Sequence, residues 1–350
     1  MDGAGLTMAT SLTAGEIYLV AEIDPRTHLA TDYCKIGIVR EKDGDDRDSS
    51  VRAKEHQTGN PRELVVADVV KTAMVEAVET VLHHRFAPKR LSGEWFYMTA
   101  EERARAMDVA RELAQRAESG VADLAMAKQL GDTPSTDETL PASAEVLAAF
   151  GIYAVADARV ARAGEMMGRI KVALAADIVE KGGKTRAGTV MERRGREEFD
   201  EASFTAEYPA LAAEFHRETT KVSGQFRMTK NVLVDESEDL TALSVRLDAT
   251  LGQPAGDERN AALHGIHLEC MAASAVSEWD SDLAEARIKV LCGTASGIEG
   301  VCKWKRTTKV TVSLDKKALK SAHPEEYGRH AKQGGTVTTT VIAKDTGFRH

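Results

Sequence analysis

Between Tyr18 and Glu79 the chain carries a phenol, an ammonium, a guanidinium, an imidazole and a carboxylate at spacings that could bring them together. Arg52 and His56 stand four residues apart in a segment expected to be helical, so they share a face. Tyr18 and Lys35 lie in two β-rich runs expected to pair. Glu79 falls in a helix expected over 72–85, whose apolar stripe is Val75, Val78 and Leu82. At about 100° per residue, Glu79 lies roughly 70° from that stripe and Glu76 roughly 130°. Glu79 is therefore expected at the edge of the core, held yet reachable, with His83 one turn beyond and Glu76 in solvent. Such a set suits phosphodiester hydrolysis. The carboxylate holds a divalent ion, the arginine clamps charge developing on phosphate, and tyrosine or histidine handles the proton. The structural alternative is a core pair of aromatics in Tyr18 and Trp95, a packing histidine in His83, and an Arg52–Glu79 ion pair.

These groups need a compact scaffold, and residues 15–98 read as an α/β unit behind an N-terminal tail at 1–14. Residues 17–22 and 33–39 are expected strands, joined by turn chemistry in Asp24-Pro25-Arg26-Thr27-His28. Residues 43–48 read as loop. Ser49-Ser50 is expected to cap a helix reaching about Gln57, which Thr58-Gly59-Asn60-Pro61 stops. A third strand is expected over 64–70, then the 72–85 helix, and Gly93-Glu94-Trp95-Phe96-Tyr97 closes the unit. An alanine-rich, charge-laced connector helix follows over 99–130, then a linker over 131–142 containing Pro134 and Pro141.

The remainder reads as two tandem units, 143–235 and 236–350. The segment Phe199-Asp200 through Pro209 matches Leu314-Asp315 through Pro324, 115 residues on. Arg169-Ile170-Lys171-Val172 matches Arg287-Ile288-Lys289-Val290, and Phe150-Gly151-Ile152-Tyr153 matches His264-Gly265-Ile266-His267. Val222 and Phe226 align with Val337 and Val341. Each copy is expected to run long helix, basic β-like stretch, Asp-started short helix ending before proline, and final strand.

Composition narrows the classes. The 350 residues suit two or three domains, and 5% aromatic content argues against an aromatic-lined sugar or lipid cavity. No run of 18 apolar residues and no basic-then-apolar start is present, which disfavours a membrane span or a targeting leader. Cys34, Cys270, Cys292 and Cys302 form no CxxC pair, so reduced thiols in a cytoplasmic protein are expected. Net charge is −9, but Ala286–His350 holds 13 Lys and Arg against 5 Asp and Glu, leaving 33 against 50 before it. A basic end on an acidic body points to a phosphate-backbone contact through Lys303, Lys305, Arg306, Lys309, Lys316, Lys317 and Lys320, with a solvated basic face as the alternative. Two other motifs fail. Gly182-Gly183-Lys184-Thr185 lacks the earlier glycine of a phosphate loop, because Ile178 occupies that place. His264-x2-His267-x2-Cys270 has ligand types, but Phe150 and Tyr153 at the matched positions favour packing over a metal.

The first unit resembles the GIY-YIG nuclease superfamily, in the branch named after a bacteriophage T5 open reading frame. The blocks that carry the likeness are Gly15-Glu16-Ile17-Tyr18, Cys34-Lys35-Ile36-Gly37, Arg52 through Gln57-Thr58-Gly59-Asn60-Pro61, Glu79-x3-His83-x2-Phe86, and Gly93-Glu94-Trp95-Phe96. They cover about a quarter of the chain. The resemblance implies an α+β fold with a small mixed or antiparallel sheet flanked by helices, DNA as substrate, and Mg2+ (or Mn2+) on Glu79. It also implies that Tyr18 aligns or deprotonates the nucleophile, Arg52 clamps phosphate and His56 assists. The chain departs from the name-giving motif at Lys35, which stands for tyrosine, and at an inserted Glu16. An ammonium at Lys35 is expected to lower the Tyr18 phenol pKa. Two functional expectations follow. One is a metal-dependent DNA endonuclease whose tandem C-terminal units position it on nucleic acid or a protein partner. The other is a weakened relative of phage or mobile-element type that binds DNA or another protein without cutting.

Overall fold

The computed structural model describes residues 12–41, 48–58 and 60–347. Most of the expected tail at 1–14, the loop at 43–48 save Asp48, and Gly59 of the expected turn lie outside the described residues. The chain is α+β, with antiparallel sheets flanked by helices.

The first sheet begins with β1 (Gly15–Ile23) and β2 (Ala30–Arg40). Their turn is built on Asp24, whose carboxylate accepts the Arg26 N–H at 2.8 Å, and closes through His28 at φ 59°. Helix α1 (Ser49–Gln57) is capped by Asp48, not by the serines: its carboxylate accepts the Val51 N–H at 2.9 Å. The Gln57 carboxamide then ties the helix to the next strand. It donates to the Asn60 and Arg62 carbonyls and accepts the Leu64 N–H at 2.8 Å. Strand β3 (Glu63–Thr72) follows, then α2 (Val75–Arg85), which starts three residues later than expected, then β4 (Arg90–Ser92) and β5 (Trp95–Tyr97). The order β3-β1-β2-β5-β4 is antiparallel throughout.

Period-two alternation sorts the two faces of this sheet. Ile17, Leu19, Cys34, Ile36 and Phe96 pack against α2, while Tyr18, Val20 and Val39 pack against Ala53 of α1 and Leu64. Helix α3 (Ala100–Gly131) opens with a capping box between Thr99 and Glu102. It is no free connector. Its Ala106, Met107, Ala110, Leu113 and Ala117 join the core of the first sheet, together with Ala275 and Trp279 from much later in the chain. Small side chains allow this close approach; a Cβ on Gly120 would lie 2.6 Å from Leu283.

The second part runs β6 (Thr139–Leu140), α4 (Ala144–Glu180), β7 (Lys184–Thr185), β8 (Gly188–Arg194), β9 (Glu198–Phe199), α5 (Glu201–Glu207), α6 (Pro209–Phe215), β10 (His216–Ser223) and β11 (Arg227–Met228). It continues with α7 (Glu238–Leu251), α8 (Asp257–Cys292), β12 (Gly297–Ile298), β13 (Cys302–Lys303), β14 (Thr307–Leu314), α9 (Lys316–Ala322), α10 (Pro324–His330), β15 (Ala331–Lys332) and β16 (Thr336–Ile342). Helices α5 and α9 are capped alike, Asp200 accepting from Ser203 at 3.0 Å and Asp315 from Ala318 at 2.9 Å. Pro209 and Pro324 each open the following helix, where a missing N–H costs nothing. Strand pairing is reciprocal: β8 bonds β16 and β14 bonds β10, so the strand before one helix pair takes the strand after the other. The core between the pairs likewise draws on both, with Phe204 and Phe215 against Leu314, Leu319 and Tyr327.

Two expectations are corrected by this architecture. The matched Arg169–Val172 and Arg287–Val290 segments are not β-like; both lie inside the long helices α4 and α8. The segment 131–142 is no loose linker, since β6 pairs in parallel with β12 and the Ser135 N–H donates to the Arg306 carbonyl at 2.9 Å.

Candidate active site

Tyr18 faces Gly37 across the β1–β2 pair, and Val20 faces Lys35, so phenol and ammonium sit on the face that α1 covers. A Cβ on Gly37 would lie 2.6 Å from the Tyr18 hydroxyl oxygen, which is why glycine stands there. Gly15 is equally constrained, since its Cβ would come 2.1 Å from the Val39 carbonyl. The inserted Glu16 serves the scaffold, because its carboxylate accepts the Ser49 N–H at 3.1 Å and fixes the start of α1.

Three side chains meet at one nitrogen. Tyr18 Oη lies 3.2 Å from His56 Nε2, and Lys35 Nζ lies 2.7 Å from the same atom. An ammonium can only donate, so Nε2 is the acceptor and the ring proton belongs on Nδ1. Burial, then the charges of Lys35 and Arg52, holds the His56 pKa below its ordinary value. Lys35 also bonds Glu94 at 2.8 Å. Burial opposes ionisation of Glu94, but the Lys35 bond and charge outweigh it and hold that carboxyl below the usual range.

Tyr18 is fully buried, and burial raises its pKa. The expected lowering by Lys35 is not what acts. Arg52, within hydrogen-bonding reach of the phenol, pulls the value down, while Glu94 and Glu79 push it up, and burial prevails. Arg52 itself is tied to Glu55 at 2.6 Å. Glu79 comes from α2, on the other face of the sheet, and is half-buried there. Burial, then the neighbouring Glu94 charge, pushes its carboxyl up to about 7 against partial relief from Arg40 and Arg90. Tyr18, Lys35, His56 and Glu94 thus form a bonded cluster, which Arg52 and Glu79 influence through charge.

Other expectations fall differently. Glu76 is paired with Arg40 at 2.5 Å instead of standing in solvent. His83 donates from Nε2 to the Ile36 carbonyl at 3.0 Å beside Phe96, and burial drives its pKa to about 4, so it is a packing residue. Glu94 is the member of the cluster to which the sequence motifs assign no role. Its signal is faint, because its partner Lys35 is adjacent only through the β2–β5 pairing of Lys35 with Trp95.

The seven basic candidates at the end divide. Arg306 is 1% exposed; it stacks 3.7 Å over Trp304 and donates to the Thr133 and Gly293 carbonyls at 2.8 and 2.7 Å. It is structural, and cannot meet a phosphate. Lys305, Lys316 and Lys320 are exposed but paired with Asp137, Glu201 and Glu197. Lys303, Lys309 and Lys317 are exposed. Lys309 stands opposite Lys221 in the β10–β14 ribbon.

Among the described residues no group of three or more His, Cys, Asp or Glu is arranged to hold a metal, and His264 instead donates to the Ala343 carbonyl at 3.1 Å. That does not disqualify Glu79, since Mg2+ commonly takes one or two carboxylates and keeps its waters. Nor is any helix among the described residues long and apolar enough to cross a membrane. Comparison with family models, with curated proteins and with solved structures finds no match.

Proposed function

We propose that the first unit is a metal-dependent DNA endonuclease hydrolysing phosphodiester bonds, with the second part positioning it on nucleic acid or a partner. The observation that carries this reading is the convergence of Tyr18, Lys35, His56 and Glu94 through bonds of 2.7 to 3.2 Å, with Arg52 and Glu79 acting on the phenol through charge, Glu79 from the other face of the sheet. Neutral His56 offers one lone pair at Nε2 to two donors, so the phenol gains it when Lys35 rests on Glu94. With α1 displaced from the buried phenol, Tyr18 can pass its proton towards Nε2 while it orients, and takes a proton from, the attacking water. Arg52 supplies the guanidinium for the phosphate oxygens once Glu55 releases it.

The donor set suits a hard cation. Glu79 is kept near neutrality by burial and by Glu94, so a divalent ion would displace a loosely held proton there. A bound Mg2+ or Mn2+ would stabilise charge on the reacting phosphate. Supercoiled-plasmid nicking with Mg2+ and with Mn2+ tests the reading. Glu79→Gln is expected to fold normally and to lower nicking by about a hundredfold or more, because an unactivated phosphodiester demands every electrophilic group. Undiminished cleavage by that variant overturns the assignment. A second reading has support in the complete burial of Tyr18 and the Arg52–Glu55 pair: recognition of DNA or a protein without cutting. Plasmid binding with no nicking in either metal would favour it.

A further inference from the structure

The two matched halves of the second part differ at one place in their interiors. In the first, Val146, Phe150 and Tyr153 of α4 pack with Ile298 and Trp304, and β6 covers the edge of β12. In the second, the positions matching Val146, Phe150 and Tyr153 are Asn260, His264 and His267 on α8, and β7 carries Thr185 where β12 carries Ile298. The sheet order β16-β8-β7 has no counterpart of β6 among the described residues. Apolar filling is thus replaced by polar groups beside an uncovered edge. The result is a cleft of about 470 Å³ between α8, the end of α4, β7 and the segment that follows β16.

We infer that this cleft binds a nucleoside through its base. Asn260 lines it, 6% exposed, with neither amide atom bonded to the protein, and the Thr185 and Thr346 hydroxyls lining it are buried without partners as well. Buried polar atoms left unmet cost free energy, so four in one cleft point to an occupant that meets them. A carboxamide with both atoms free presents a donor beside an acceptor, the complement of a nucleobase edge. The volume suits a nucleoside-sized ligand. Charge at the rim is already balanced, Lys181 and Arg186 standing against Asp177 and Asp257, which favours an uncharged ligand over a phosphorylated one. His264 stays out of the recognition, since its Nε2 is engaged by the Ala343 carbonyl.

The test is calorimetric titration of the full chain with adenosine, guanosine, cytidine and thymidine at millimolar concentration, with ribose and inorganic phosphate as controls. At least one nucleoside is expected to bind, and neither control. Asn260→Val installs the residue of the matched half, so its melting temperature should equal or exceed that of the wild type while affinity falls by about tenfold or more. Gly265→Leu gives an independent variant. A Cβ there meets nothing within 4 Å, so the longer side chain fills the cleft while every polar group stays in place, and binding should be lost. Absence of binding by all four nucleosides overturns the inference. So does binding that survives Gly265→Leu, or a response to ribose or phosphate alone.

Discussion

Gly37 decides where the Tyr18 phenol lies, because the hydroxyl occupies the volume a β-carbon would need. Gly37→Ala is therefore expected to push the ring away from His56, costing about 1–3 kcal/mol in urea unfolding and most of the nicking activity. Glu79 couples the site to pH. Its carboxyl titrates at about 7 in the folded chain, against 4.5 for the ordinary group. The stability linked to this raised value is complete below the lower figure and is lost as pH rises through the upper one. Glu79→Gln removes that loss. Metal-free, the variant should match the wild type near about pH 4 and exceed it by on the order of 1–3 kcal/mol near about pH 8.5. Adding Mg2+ should close the gap by stabilising the wild type alone. A wild type that outlasts the variant at alkaline pH without metal would contradict the burial of this carboxyl.

At the scale of elements, basic residues that look alike in the sequence do different work. Arg306→Ala strips two carbonyls of their donor and empties the space over Trp304, so a loss of about 2–4 kcal/mol is expected in thermal unfolding. Reversing Lys303, Lys309 and Lys317 to Glu should leave stability nearly unchanged, weaken DNA binding and flatten its salt dependence by roughly 0.9 for each phosphate no longer neutralised. An unaltered salt slope would show that these lysines face something else. How much of this is legible in the sequence depends on range. The strands and helices of the first unit follow from periods of two and 3.6, and the Thr99–Glu102 box marks the start of α3 directly. Asp48 is hidden as a cap in a polar run beside two serines that are equally good caps. Ile170 and Val172 look β-like locally, yet they sit in a helix running from Ala144 to Glu180, where tertiary burial of Ile170 and Leu174 overrides propensity. Pro134 and Pro141 mark irregular backbone correctly, but irregular is not unbonded, since Thr133 and Ser135 answer to Arg306. The Lys35–Glu94 bond and the burial of Arg306 depend on which strands and loops become neighbours, and no local pattern carries that.

For the whole molecule, the decisive feature is that the halves of the second part complete one another's ribbons, while α8 also reaches back to the first sheet through Ala275 and Trp279. The segment after β16 binds the parts further: the Thr346 N–H donates to the Arg90 carbonyl at 2.8 Å, and its own carbonyl accepts from Arg186 at 2.5 Å. Cutting the chain between 235 and 236 should accordingly yield two fragments that are poorly ordered alone by circular dichroism and regain helical signal when mixed. A first fragment that reaches native-like stability unaided would contradict the reciprocal pairing. Timing in the cell follows from the same exchange. Strand β8 is synthesised well before β16, and at ordinary elongation rates its partner leaves the ribosome roughly ten seconds later. During that interval the open edge is exposed to the nearest complementary strand, which on a crowded polysome belongs to a sister nascent chain, so slowed translation should yield interlocked dimers.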